Sequence, residues 1–516
     1  MRFLRWLLPA IVAGGLVVWA SSCGTRAPRC LASNCPGCCD AEGQCQPGDQ
    51  PTACGVLAAA CKVCESGACQ EGVCLPSDGS NDGGNPNDGG ERDAGVRDGG
   101  GGVDAGFSGT VWYRGDFLTV GVERLGRTGL VALPLPGQVS AFAVSPDRSK
   151  IVVGTDAVEA GRFDLMLANP DGSNPLRIVQ VPSGSRVRSI RFSPSGAWLA
   201  FEADLDAAGV YDIWVVPFLG GTPARATPLR PTGQQSNGEL GPLAYCWSRD
   251  SRYLAVVGDY EVNAAVQLYI ADLSNATAPS VVVAVSQAAV GTPTGTANIG
   301  VEPMLEWTVA GKLLFKAKLT TDSGKFRLHQ VDANGQNLRV LANSPSGNAQ
   351  LGAFGLSPNG ASLAFSADTL IANAYEVYRL PVDGALAPAL LTSGTSSVGG
   401  PNVSAPLLWS PDGTRIAFTA DYVSPGMFDL YTVPITGGSG ASRVIATLPR
   451  DGGQDFRALA WSPNSQQIAA IADWRVDQRF EVIRTENATS SAQTPVVVQG
   501  VPSGGNVLDL AWTQTP

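Results

Sequence analysis

The sequence predicts an all-β fold, a β-propeller of four-stranded blades preceded by a small disulfide-rich module. Three observations point there. A unit of four short apolar strands recurs roughly every 50 residues, the period of a propeller blade. The 62 glycines and 36 prolines in 516 residues suit turns better than helices. An apolar strand at 507–513 continues the register of the repeat and matches a unit at the other end that lacks its first strand.

The clearest unit begins at Leu407-Leu408-Trp409, turns through Ser410-Pro411-Asp412-Gly413 and resumes at Arg415-Ile416-Ala417-Phe418. Pro presets the backbone of the turn, Asp bonds its own backbone, and Gly relieves strain. Strands at 428–433 and 443–446 follow, separated by Gly437-Gly438. Such a sheet cannot bury its own faces and needs copies beside it. Copies of the turn stand at Trp461-Ser462-Pro463-Asn464, Leu356-Ser357-Pro358-Asn359, Phe192-Ser193-Pro194-Ser195 and Val144-Ser145-Pro146-Asp147. Weaker copies are Trp247-Ser248-Arg249-Asp250 and Trp307-Thr308-Val309-Ala310. Successive anchors lie 48, 55, 60, 49, 53 and 52 residues apart.

These residues resemble the WD40-like repeats of TolB-type periplasmic propellers, whose blades carry a W-S-P-D-G turn followed by I-A-F and D-I-Y-V strands. The resemblance covers roughly residues 107–516 and is specific for the fold. It implies an interaction in the cell envelope. A Cys-rich segment stands where that family has a partner-binding N-terminal domain, so a role in the Tol system does not carry over.

Strands at 109–114, 118–125 and 129–133 precede the first anchor, and 507–513 reads as an innermost strand. Each end supplies what the other lacks. The expectation is a shared blade closing the ring at eight blades, with seven the alternative; closure removes the exposed sheet edges that invite aggregation.

The N-terminal quarter is organised differently. Arg2 and Arg5 precede an apolar run from Trp6 to Trp19, which reads as a signal segment over 1–22. The run is shorter than the ~20 residues a bilayer-spanning helix needs. Cys23 after Ala20-Ser21-Ser22 resembles a bacterial lipobox, which implies a lipidated Cys23 as mature N-terminus and an anchor segment at 23–29; the usual Leu is replaced by Ala20. Residues 30–75 hold Cys30, Cys35, Cys38, Cys39, Cys45, Cys54, Cys61, Cys64, Cys69 and Cys74. An even set in a short exported segment predicts disulfides, of connectivity that spacing does not determine. Cys35 with Cys38 and Cys61 with Cys64 have metal-ligand spacing, but export and the lack of a nearby His favour disulfides. The arrangement resembles small Cys-rich modules near the N-terminus of exported lipoproteins from complex Gram-negative bacteria. Residues 76–106, rich in Asp and Gly, can bury almost nothing and read as a flexible tether.

If each unit runs from innermost strand A outward to strand D, the Ser-Pro-Asp-Gly turns share one face and the B–C and D–A loops the other. The second face carries the long connections at 227–243, 284–303 and 392–406, and long loops on a rigid scaffold are where binding concentrates. An acid recurs there after strand B: Asp156, Asp204, Asp259, Asp368, Asp421 and Asp473, with Lys316-Ala317-Lys318 in the fourth unit. Two readings compete, an acidic ring facing a cation or basic partner and carboxylates bonding the amides of their own loops. A second set, Asp164, Asp212, Glu376, Asp429 and Glu481, precedes strand C and reads as structural.

Nucleophilic catalysis finds little in the sequence. The one His, His329, falls within a strand, and no G-x-S-x-G elbow occurs. Cys246 reads as a buried thiol, and Arg114-Gly115-Asp116 as a coincidental adhesion-like tripeptide. A net charge of −10 disfavours nucleic acid and anionic membrane surfaces. No catalytic residue, cofactor or metal is expected. The reading is an exported, lipid-anchored envelope protein, at the outer membrane, whose propeller binds a protein or peptide without catalysis. A glycosidase- or lyase-like enzyme using loop-face acids, or a cation- or glycan-binding surface protein, are the alternatives. If Cys23 carries the anchor, Cys23→Ser shifts the protein from the membrane to the soluble fraction or leaves its signal uncleaved, as fractionation and intact mass will show.

Overall fold

The computed structural model describes residues 109–513, leaving out 130–131, 230–241, 261–264, 276–277, 292–298, 323, 342–348, 384–385, 393–402, 425, 438–440, 446–455, 477 and 490–492. Between Cys38 and Pro76 it describes the backbone of seven strands of two to four residues, the longest hairpin pairing Gly67–Gln70 with Val73–Pro76. The signal segment, Cys23, the ten cysteine side chains of the N-terminal module and the tether lie outside the described residues.

Within the described residues, seven antiparallel four-stranded units follow one another, each ordered A-B-C-D along the chain. They span 139–179, 187–225, 242–285, 299–340, 351–390, 403–445 and 456–499. The third and fourth touch through a short parallel pairing, Ala265 with Ile299 and Val266 with Gly300. An eighth sheet is composite. The C-terminal strand Val507–Thr513 pairs antiparallel with Thr110–Gly115, which pairs with Arg124–Arg127. Leu510 faces Tyr113 and Trp512 faces Val111, so the ring closes as an eight-bladed propeller through its two ends.

The composite blade departs from expectation in its outer part. Residues 118–125 do not form one strand: the chain curls through a Val122 N–H to Thr119 carbonyl bond of 3.1 Å, and Gly121 adopts φ of 92°. The strand begins only at Arg124. The expected fourth strand at 129–133 reduces, among its described residues, to one backbone bond from Leu133 N–H to Leu125 carbonyl. Gly129, at φ of 81°, turns the chain where a strand would run straight.

The repeated turn has a repeated hydrogen-bond pattern. The hydroxyls of Ser145, Ser193, Ser248, Ser357, Ser410 and Ser462 each accept the backbone N–H five residues on, at 2.8–3.1 Å. In five of these turns the same hydroxyl donates to the Asp or Asn two residues on, at 2.5–2.8 Å. In the fourth unit Thr308 takes the role, accepting from Lys312 N–H at 3.0 Å. The tryptophans before the turns tie blades together. The indole N–H of Trp307, Trp409 and Trp461 donates to the carbonyls of Cys246, Gly355 and Leu408 on the preceding inner strand, at 3.1, 2.9 and 2.9 Å. Close approach of the two inner strands needs Gly355, because a Cβ there would lie 2.4 Å from the Leu407 carbonyl oxygen.

Apolar residues pack between blades. Val111, Tyr113, Val507 and Leu510 pack against Ala458, Ile471 and Val482 of the seventh blade, while Trp112 and Leu125 pack against Val139, Ile151 and Val153 of the first. The joint also carries charge. Buried Arg114 donates through Nε to Asp509 at 2.6 Å and through Nη1 to Glu123 at 2.5 Å. Glu123 in turn accepts from Arg186 of the second blade at 3.0 Å. Removing 507–516 exposes the blade faces on both sides of the joint. Burial of Val507, Leu508 and Leu510 alone is worth about 4 kcal/mol or more. The truncated chain is therefore expected to unfold at markedly lower urea concentration in one transition monitored by tryptophan fluorescence; an unchanged midpoint would show that the ring does not depend on the joint.

Candidate functional site

Because strands alternate in direction, the B–C hairpins and D–A connections share one face of the ring. The recurring acids sit at its inner edge, and the carboxylates of Asp156, Asp204, Asp368, Asp421 and Asp473 accept backbone amides. Asp204 accepts the Gly209 N–H in its own B–C loop at 2.8 Å and the Arg186 N–H, just before strand A, at 2.9 Å. Asp156 bonds Gln138 N–H at 2.6 Å and, more weakly, Gly161 N–H at 3.4 Å. Asp368 bonds the amides of Gln350 and Asn373. Asp421 accepts from Gly426 N–H at 2.9 Å and Asp473 from Gln478 N–H at 3.1 Å. Asp259 is buried. All of these are buried except Asp156, which is half-buried. Asp156, Asp204 and Asp368 each bracket the amide five residues on and the amide just before strand A, locking two loops together.

The bracket has one more member. Asp116 accepts from Gly121 N–H at 3.1 Å and Asn506 N–H at 2.5 Å, and it is buried. Its role is hidden in sequence because its two partners come from opposite ends of the chain. The signal was available in the strand at 110–115: once that strand is taken as strand B, Asp116 falls at the recurring position. The Arg114-Gly115-Asp116 tripeptide is thus part of the closing joint, with both charged side chains buried. In the fourth blade Lys316 and Lys318 stand over the Phe326 ring at 4.8 and 5.4 Å, and Lys316 pairs with Glu302 at 3.5 Å.

The second acid set lies at one register position opposite the end of strand B. Asp164 contacts Arg162 at 3.2 Å and accepts Val181 N–H at 3.0 Å. Asp212 holds Arg225 and the Thr227 hydroxyl. Asp429 pairs with Arg443 at 2.6 Å, and Glu481 accepts Arg475 Nε at 2.8 Å. Burial raises Glu376 above the usual carboxylate range, and it accepts the Thr392 hydroxyl. The same register position carries Arg124 and Arg327 in the eighth and fourth blades. Both reverse the charge and donate to connection carbonyls instead, Gly137 at 2.8 Å and Ala349 at 2.6 Å.

His329 is buried between strands, stacked on Phe315 with ring centroids 5.5 Å apart, its Nε2 3.2 Å from Asp322. Burial holds its pKa below the ordinary histidine value, opposed by the Asp322 carboxylate. Cys246 is half-buried on an inner strand, less enclosed than expected. Among the described residues no three His, Cys, Asp or Glu side chains come together to hold a metal ion. No helix among them is long and apolar enough to cross a membrane.

On the loop face, the hairpin tips of three consecutive blades expose aliphatic side chains. The long B–C hairpins of the fifth and sixth blades, Ser362–Ile371 with Ala374–Pro381 and Arg415–Ser424 with Met427–Pro434, extend past the body of the sheet. Their tips expose Leu370 at 64%, Ile371 at 61% and Val423 at 53%, and the seventh blade adds Val476 at 45%. Tyr422, at the base of one tip, is buried and packs with Tyr375 at the base of the other, so neighbouring tips stand on a shared support. Nothing in the sequence sets these residues apart, because single apolar side chains in loops are common; their grouping depends on three consecutive blades standing side by side.

The opposite face, where the Ser-Pro-Asp-Gly turns lie, holds a cavity of about 490 Å³ at the mouth of the central channel. Arg191, Arg249 and Glu306 line it together with Leu356, Leu407 and Trp409. Arg249 is braced by the carbonyls of Trp307 and Pro358 at 3.0 and 3.1 Å. The Arg191 guanidinium lies 5.0 Å from the Tyr245 ring centre.

No family model matches the chain, and no curated protein matches it. Solved structures to which it is similar include the putative TolB from Agrobacterium tumefaciens, at 17% identity over 53% of this chain and 90% of that one, with a TM-score of 0.31. TolB from Acinetobacter baumannii matches at 16% identity over 73% of this chain and 81% of that one, with a TM-score of 0.34. Dipeptidyl peptidase 4 from Porphyromonas gingivalis matches at 14% identity over 73% and 56%, with a TM-score of 0.49. The propeller assignment rests on the strand pairing, and the chemistry of the site on this chain's own residues.

The bracket has a measurable strength. Asp204→Ala strands the amides of Gly209 and Arg186, and bonds to a charged acceptor contribute about 1.5–3 kcal/mol each at most. A loss of about 3 kcal/mol in chemical denaturation is expected, with Asp204→Asn losing less because one acceptor oxygen remains.

Proposed function

We propose that this is an exported, lipid-anchored envelope protein whose propeller serves as a non-catalytic scaffold, binding a protein or peptide through its loop face. The observation that carries this reading is the group of exposed aliphatic side chains, Leu370, Ile371, Val423 and Val476, on the hairpin tips of three consecutive blades. Exposed apolar groups gathered on one rigid face favour docking of a partner that covers them. The loop-face carboxylates that acid–base chemistry would recruit are instead bonded to backbone amides, hydroxyls and guanidiniums, which favours binding over catalysis. A signal segment and Cys23 would place the protein at the membrane, with the tether at 76–106 giving the propeller reach.

Leu370→Asp, Ile371→Asp and Val423→Asp, combined in the full-length chain, test the docking face. The envelope protein captured by the wild type is expected to be lost from the variant while the thermal midpoint stays within a few degrees, since exposed substitutions cost about 0.5 kcal/mol or less. Capture of the same partner by the variant at equal yield would exclude this face.

A further inference from the structure

The channel mouth on the turn face combines features that the loop face lacks. Two guanidiniums, Arg191 on the inner strand of the second blade and Arg249 in the turn of the third, share one cavity with a single carboxylate, Glu306. This is a local positive excess in a chain of net charge −10. Glu306 has no hydrogen-bond or ion-pair partner among the described residues, and its one charged neighbour of consequence is Arg249. Across the cavity the fifth and sixth blades contribute Leu356, Leu407, Leu408 and Trp409, an apolar wall.

Each element narrows the ligand. The volume of about 490 Å³ suits a small molecule. The planar guanidinium fork matches a carboxylate, and the wall opposite it carries no cation for a second anionic group. The apolar wall rewards a hydrocarbon body. We propose that this mouth of the channel binds a small monocarboxylate with an apolar body, its carboxylate between Arg191 and Arg249 and its hydrocarbon against Leu356, Leu407 and Trp409. The site lies on the face opposite the hairpin tips, so it stands or falls separately from partner docking.

Glu306 gives the site a pH dependence. Confinement in the channel raises its pKa to about 7, opposed by Arg249. The other titratable group lining the cavity is Arg191; the lining residues of the fifth and sixth blades carry no titratable side chain. Protonated Glu306 donates to the ligand, and ionised Glu306 repels it. Ligand binding is therefore coupled to proton uptake, and affinity falls as pH rises through that value.

Isothermal titration of the full-length protein with 4-methylpentanoate, 4-methylpentanamide and inorganic phosphate tests this. The carboxylate is expected to bind about tenfold more weakly at pH 8 than at pH 6. The amide and phosphate are expected to show no heat of binding. Arg191→Met should weaken the carboxylate at least about tenfold with an unchanged thermal midpoint. Glu306→Gln should bind with the same affinity at both pH values. Equal binding of the amide, tighter binding of phosphate, an unaffected Arg191→Met, a pH dependence that survives Glu306→Gln, or no binding of the carboxylate would each overturn the assignment.

Discussion

One sheet pairing, between Val507–Thr513 and Thr110–Gly115, makes the row of blades into a ring. Every four-stranded unit is apolar on both faces and depends on its neighbours for burial. In an open row the two outermost faces would remain exposed, whereas the closed ring covers both with the composite blade. The pairing is reinforced by a buried charge: Arg114 from the N-terminal segment reaches Asp509 from the C-terminal one and Glu123 from the loop beyond. A buried guanidinium without those acceptors is costly, so the charge is satisfied only in the closed arrangement.

The remainder of the ring is held by small polar devices repeated blade by blade. The turn hydroxyl, the tryptophan N–H and the loop-face aspartate each satisfy a backbone group that would otherwise lie buried and unpaired. Their division of labour separates the two faces. On the turn face, short turns leave the channel mouth open and bring inner-strand side chains to its rim. On the loop face, aspartates fix the bases of the hairpins, so the tips can vary in length and composition without disturbing the sheets. Rigid bases under variable apolar tips suit a binding surface, and an uncluttered channel mouth suits a small ligand.

The two faces were unequally legible. The aspartates at 156, 204, 368, 421 and 473 stand out by spacing, as carboxylates that can bond their own loops, but which amides each one meets depends on how strand A of the same blade enters. Asp116 escaped because half its bracket comes from Asn506. Arg191, Arg249 and Glu306 escaped for a related reason. They sit on three different repeats: Arg249 shows in the sequence only as the residue that replaces Pro in one turn, and Arg191 and Glu306 stand just before the last residue of their inner strands, a position that only ring curvature turns toward a common lumen.

Local chemistry was enough to determine the architecture. Apolar strands of period two, Pro-Asp-Gly turns and a repeat near 50 residues leave few alternatives to a propeller, because these signals act within a handful of residues. The strand boundaries at the composite blade, the commitment of each carboxylate, the grouping of Leu370, Ile371 and Val423, and the sharing of one cavity by Arg191, Arg249 and Glu306 were decided by tertiary structure. Each depends on which blades stand side by side and how sharply the ring curves. Those are properties of the whole assembly of sheets, set by packing between segments hundreds of residues apart.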